Sequence, residues 1–386
     1  MKLFGQRRKG LTIFISLVLL SLVMAACGGS SSAPTSSAPA APAAPVNGKG
    51  CTKVGILLPE TATSARWDGV DRPDLLKDIP QLLSGATVDY NNAQGSADTQ
   101  QTQAQADLTK GDCILVLAPS DSIKAAAIVS AAKAKNVPVI SYDRLTYSND
   151  LNYYVSFDNT MVGQLQGTWI ANHYQSFVSA NGTNNTVMID GGQTDNNALL
   201  FAKGAHSALD PLFSSGKLKK VYEKFTPNWD NATAQTEMEA ALTANQNKIA
   251  IAYVANDGMA NNVIAALKAV KLNGKVLVTG QDATVAGIHN ILAGDQSMTV
   301  YKAIAKEAMA TAQLVAALST GTGASSLTNG VTTTIPLTGG ASIPSVLETP
   351  VAVDKTNIQS TVIADGFVTA AAVCAGLPSG TGGICP

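Results

Sequence analysis

A chain of 386 residues, 46% hydrophobic and only 14% charged, is long enough for two domains and can bury sizeable cores. Its formal net charge of -1 argues against nucleic acid as the partner, because phosphate binding needs a basic surface. His173, His206 and His289 stand far apart, and none is spaced with a Cys or Glu as a ligand set would be, so neither metal nor cofactor is expected.

The N-terminus reads as an export signal over residues 1–26. Lys2, Arg7, Arg8 and Lys9 form a positive start, and Leu11–Val23 is an apolar run too short for a span of about 20 residues. It ends Met24-Ala25-Ala26-Cys27, which resembles the bacterial lipobox and implies lipidation of Cys27. Residues 27–50 are rich in Pro, Ser, Gly and Ala with almost no large apolar side chain. That composition predicts a disordered tether between a lipid anchor and a body outside the cytoplasmic membrane.

The body begins at Cys51. Lys53–Leu58 predicts a first parallel strand, followed by Pro59 and then by Arg66-Trp67. Trp67 either caps the core or lays its plane against the C–H face of a sugar, with Arg66 reaching a hydroxyl or ring oxygen. A helix over Leu75–Leu83, a strand over Ala86–Tyr90, an exposed helix over Asp98–Lys110, a buried strand over Cys113–Ala118 and a helix over Ser122–Lys135 follow. Val137–Ser141 is the next buried strand, and Asp143-Arg144 stands at its carboxyl edge, where open α/β sheets bind ligands. An acceptor beside a five-donor guanidinium can grip vicinal hydroxyls, although a surface ion pair would look the same.

Tyr153–Phe157 is a strand, and Asp158-Asn159 opens a helix over Thr160–Phe177 whose Trp169 is expected in the core. Thr186–Asp190 leads to Gly191-Gly192, whose spacing fits no phosphate loop, so the glycines are expected to allow a tight turn. Asp195 with Asn196 and Asn197 then caps a helix over Ala198–Phe213, and one of the amides is free to face a cleft. Val221–Phe225 precedes Trp229, and Lys248–Val254 precedes Asn256 and Asp257, the latter an expected N-cap for Met259–Val270. Lys275–Thr279 precedes Asp282, and Ser297–Val300 precedes Lys302. A helix over Ala303–Leu318 and a last segment, Ile343–Gly366, complete the body.

The strand–helix alternation predicts an α/β fold with doubly wound parallel sheets. It runs twice, before and after about residue 158, which implies two lobes whose strand ends face across a cleft. Those ends carry Arg66, Trp67, Asp143, Arg144, Asn197, Trp229, Asn256, Asp282 and Lys302. These are the planar polar groups and two aromatics that a buried polyol requires.

Several segments carry a resemblance. They are Arg66-Trp67, Ile140–Leu145, Tyr153–Gly167, Gly191–Phe201, Ala241–Ala250, Val254–Gly258, Val278–Ala283, Met298–Ile304 and Ile343–Phe367. In them the chain resembles the type I periplasmic sugar-binding proteins of ABC importers, and among these the D-xylose-binding members. The resemblance implies that Trp67 and Trp229 stack on a pyranose while the other seven residues hydrogen-bond its hydroxyls and ring oxygen. It implies a first lobe of residues 51–157 plus 302–342, a second of 158–301 plus 343–373, and a tail of 374–386. Hinge crossovers are expected near residues 158, 300 and 345. It also implies a monomer that delivers a monosaccharide to an ABC permease and its transport ATPase. The stretch from Ile56 to Trp67 departs from the xylose binders toward relatives that take several monosaccharides. A multi-sugar receptor for glucose, galactose or arabinose, signalling to a chemotaxis or kinase partner, is the alternative.

Four cysteines permit three pairings. Cys51–Cys113, ahead of strands expected in one sheet, with Cys374–Cys385, close in sequence, is the pairing expected outside the cell. An enzyme is not expected: nucleophile elbow, Walker loop and metal-spaced histidines are all missing from the sequence. A glycosidase needs one protonated carboxyl, and the neighbouring cations would hold both Asp143 and Asp282 ionised.

Overall fold

Short apolar strands alternate with helices to build two sheets in the computed structural model, which describes residues 48–386. The export signal, the Cys27 lipidation site and the tether as far as residue 47 lie outside the described residues.

In the first lobe β1 (Lys53–Leu58), β2 (Thr87–Asn92), β3 (Ile114–Leu117), β4 (Val139–Tyr142) and β5 (Tyr153–Phe157) are parallel. Helices α1 (Arg72–Leu82), α2 (Ala97–Lys110) and α3 (Ala126–Ala134) cross between them. The order β2-β1-β3-β4-β5 reverses at β1, the switch point where doubly wound sheets open a crevice. β1, β3 and β4 are almost wholly buried, as strands covered by helices on both faces must be.

The second lobe repeats this plan. β6 (Asn185–Asp190), β7 (Lys219–Phe225), β8 (Ile251–Val254) and β9 (Leu277–Val278) are parallel in the order β7-β6-β8-β9. α4 (Asn159–Asn181) leads from β5 into β6, α5 (Asn196–Ser214), α6 (Asn231–Ala244) and α7 (Asp257–Ala269) join the four strands, and α8 (Val285–Ala293) follows. β10 (Met298–Tyr301) lies alongside through Val300 N–H to Gly280 O at 3.1 Å, and α9 (Ile304–Thr320) returns to the first lobe.

The last crossover differs from expectation. After β11 (Thr332–Thr334), β12 (Ser342–Glu348) pairs parallel with β5, and only β13 (Val351–Asp354) joins β10. Residues 343–348 thus extend the first lobe's sheet, and the chain crosses at Thr349-Pro350 rather than near 345. Alternating burial along β12 suits an added outer strand better than a hinge. The first and third crossovers are tied together, with Asp158 N–H donating to Glu348 O at 3.0 Å.

Disulfides join Cys51 to Cys113, across the starts of neighbouring β1 and β3, and Cys374 to Cys385, with Cα separations of 5.6 and 5.3 Å. Trp169 is only half-buried on α4, not in the core. Its indole N–H donates to Asp354 Oδ2 at 3.0 Å and its ring stacks on His173 at 3.9 Å, so it pins β13 from outside.

Candidate functional site

Asp143 is the hub of the crevice. It follows β4 with φ of 56°, a left-handed conformation that Asp tolerates better than most residues. Its backbone is over-determined: the N–H donates to Val155 O at 2.8 Å. Its carbonyl accepts from Ser156 Oγ at 2.6 Å, Tyr154 Oη at 3.0 Å and Asn197 Nδ2 at 3.0 Å. Its carboxylate accepts from Arg66 Nη1 at 2.9 Å, Lys302 Nζ at 3.1 Å and Asn197 Nδ2 at 3.1 Å. Residues from both lobes and from the second crossover meet on this side chain.

Arg66 is aimed from behind. Asp71 takes Nε at 2.9 Å and Nη2 at 2.5 Å, a two-pronged grip, and Glu307 at the start of α9 takes Nη2 at 3.2 Å. Tyr142 Oη donates to the same Asp71 at 2.7 Å. Arg144 Nε pairs with Asp195 Oδ2 at 2.9 Å. Three buried cations thus stand among five buried acids, Asp71, Asp143, Asp195, Asp282 and Glu307. Burial raises the Asp143 carboxyl, but Arg66, Lys302 and Arg144 more than offset this and hold it well below the usual range. Burial, with the Asp143 charge beside it, pushes Glu307 well up, and burial also raises Asp71 and Asp195 against their guanidinium partners.

Trp229 sits on the second lobe's side of the crevice at φ of 58°, costly for a bulky residue. Its indole N–H donates to Asp195 Oδ2 at 3.2 Å and its ring meets Phe201 edge-on at 6.1 Å. Gly191 explains how the ring fits: a Cβ there would lie 2.2 Å from the Trp229 ring. Gly191 therefore gives clearance to the indole, while the tight turn expected from sequence starts at Gly192, whose carbonyl accepts Asp195 N–H at 3.0 Å. Trp67 is only 2% exposed, with the Arg66 and Arg144 guanidinium carbons 4.5 and 5.2 Å from its ring centroid.

Asn256, not Asp257, caps α7, accepting Met259 N–H at 2.9 Å through its side chain. Asp257 points inward instead and binds Thr284 N–H and Gln296 Nε2, both at 2.8 Å, and Thr299 Oγ1 at 2.9 Å. It thereby anchors the loop that carries Asp282. Asp282 has φ of 98° and is 8% exposed. Its Oδ1 lies 3.7 Å from Lys302 Nζ and 3.9 Å from Arg66 Nη1, yet accepts no hydrogen bond from the described residues.

All nine side chains expected at the strand ends line one narrow cavity between the lobes, with about 30 Å³ of free space. Thr63, Ser64, Asp195, Phe201 and Gln281 also line it. Sequence reasoning assigned Asp195 only as a cap and missed the supporting layer of Asp71, Tyr142 and Glu307. Asp71 stands among Asp68, Arg72 and Asp74, and Glu307 follows Lys306, so no local signal set either acid apart from its neighbours.

A family profile described as "Periplasmic binding protein domain" matches residues 83–323. The chain is 38% identical over 320 residues to the D-xylose-binding periplasmic protein of Haemophilus influenzae, covering 82% of this chain and 90% of the relative. It is 34% identical to the multiple sugar-binding periplasmic receptor of Rhizobium radiobacter, covering 81% and 90%. A Clostridium phytofermentans ABC transporter solute-binding protein with bound β-D-glucose superposes with a TM-score of 0.73 at 30% identity, over 83% of this chain and 99% of that one. These relatives are named for binding, and none for catalysis. Their shared fold, and a charged cavity set where the strands of two doubly wound lobes end, lead to one conclusion: the chain belongs to the periplasmic binding protein family, as a solute-binding protein and not an enzyme.

Proposed function

We propose that the protein captures a monosaccharide, D-xylose first, between two closing lobes and delivers it to an ABC sugar importer from a lipid anchor at Cys27. The observation that carries this reading is Asp282. A buried carboxylate oxygen beside two cations, without a hydrogen-bond donor among the described residues, is a ready acceptor for a hydroxyl. Lys302, Arg66 and Arg144 supply donors around it, and Trp229 and Trp67 border the same space. A pyranose has the matching hydroxyl ring and flat C–H faces. Each hydroxyl buried without a partner costs about 1–3 kcal/mol, so such a site discriminates epimers.

The test is calorimetric titration of the purified protein with D-xylose, D-glucose, L-arabinose, D-galactose and D-ribose. Tight binding of xylose alone supports a dedicated pentose importer. Comparable binding of glucose supports the multi-sugar alternative, which the departure at Ile56–Trp67 and the glucose held by the Clostridium relative favour. Failure of every sugar to bind overturns the reading. The anchor is tested by metabolic labelling with a fatty acid, which Cys27→Ala should abolish.

A further inference from the structure

A second cleft opens beside the charged cavity and shares part of its wall. Thr63, Ser64, Arg66, Asn256 and Asp282 border both. The second space is larger, about 500 Å³, and different in chemistry: Val70, Val285, Ala286, Phe367 and Val368 give it a largely apolar lining. Phe367 is braced by Tyr301, ring to ring at 4.9 Å, and Val285 at the start of α8 is 43% exposed. The cleft is built from both lobes, with the segment around Thr63 on one side and α8 on the other, so it forms together with the charged cavity. A free monosaccharide would use none of this apolar surface. A substituent carried from the sugar ring between Asp282 and Asn256, which border both spaces, would bury its apolar area in the cleft.

We propose that this cleft is an aglycone subsite, so that the protein binds glycosides carrying an alkyl or aryl substituent, the sugar ring in the charged cavity and the substituent in the cleft. The inference rests on the sugar reading of the cavity. Its test pairs D-xylose and D-glucose with their phenyl α- and β-glycosides in calorimetric titrations of the wild-type protein and of Val285→Asp. An aspartate at the first position of α8 suits the helix N-terminus, so the variant should fold.

The expected result is that one phenyl anomer binds the wild type at least about tenfold more tightly than its free sugar. In Val285→Asp that advantage disappears while the free sugar binds unchanged. Free sugar bound with both phenyl glycosides excluded, or a glycoside advantage that survives Val285→Asp, overturns the subsite and leaves the sugar reading standing. If neither sugars nor glycosides bind, both readings fall.

Discussion

Asp282 and Asp190 are both buried carboxyls with oxygens that find no donor among the described residues, but different groups surround them. Asp282 stands beside Lys302 and Arg66. Its replacement in Asp282→Ala should weaken sugar binding by at least about two decades, because a sugar hydroxyl loses its acceptor and two buried cations lose a neighbouring countercharge. Unchanged affinity in calorimetry would remove Asp282 from the site. Asp190 ends β6 away from those cations. Burial first, and the Glu223 and Glu237 charges against His206 and Lys220, push it up to about 7. Its folded-state value is raised above the unfolded one. Stability is therefore fully present below about pH 4 and is lost as pH rises to about 7. Asp190→Asn stays neutral throughout. Relative to wild type, its melting temperature should be more favourable at pH 8 than at pH 4, by the equivalent of about 1–4 kcal/mol. A difference independent of pH would show that Asp190 does not titrate in this range. Asp282 was legible in the sequence because it follows an apolar strand. The state of Asp190 was not, since it depends on what chain segments distant in sequence bring around it.

The crossing of α4 and α5 sets the position of Asn159 and Asn197, each at its helix's N-terminal turn and joined by Asn159 Nδ2 to Asn197 Oδ1 at 2.9 Å. The crossing is closer than side chains allow. A Cβ on Gly163 would lie 1.8 Å from Phe201 O, and one on Gly204 would lie 2.0 Å from Thr160 O. Gly163→Ala should therefore force the helices apart and cost about 1–3 kcal/mol or more, with weakened sugar binding as Asn197 shifts. Full stability in denaturant titration would show that the crossing relaxes without cost. The two helices were legible from their apolar periodicity and from the Asp158 and Asp195 caps, both of which accept backbone N–H groups as such residues do. The close approach was not, because a glycine in a helical pattern says nothing about which partner it faces. The same holds for Gly191 under the Trp229 ring.

Across the whole molecule, direct hydrogen bonds bridge the lobes. Ser122 N–H donates to Thr194 O at 2.8 Å, Tyr147 Oη to Asn196 Oδ1 at 2.8 Å, and Arg144 pairs with Asp195. A sugar that touches both lobes only when they are closed adds to these contacts and shifts the population toward closure. At a sugar concentration of 100 times Kd the added stability should be about 2.7 kcal/mol, read as a rise in melting temperature. Small-angle scattering should show a smaller radius of gyration with sugar than without. Identical profiles would count against closure.

The sequence by itself determined the alternation of strands and helices, its repetition in two lobes and the residue types at the strand ends. These follow from local periodicity, and a parallel strand's carboxyl end is fixed by chain direction alone. Tertiary structure decided the rest. It placed β12 in the first sheet, made Asn256 the cap and Asp257 the anchor, and set Asp71 and Glu307 behind Arg66. It also opened an apolar cleft beside the charged cavity. Each of these depends on which segments distant in sequence come to share one small, poorly solvated space, where burial and neighbouring charge, and not residue type, determine what a side chain does.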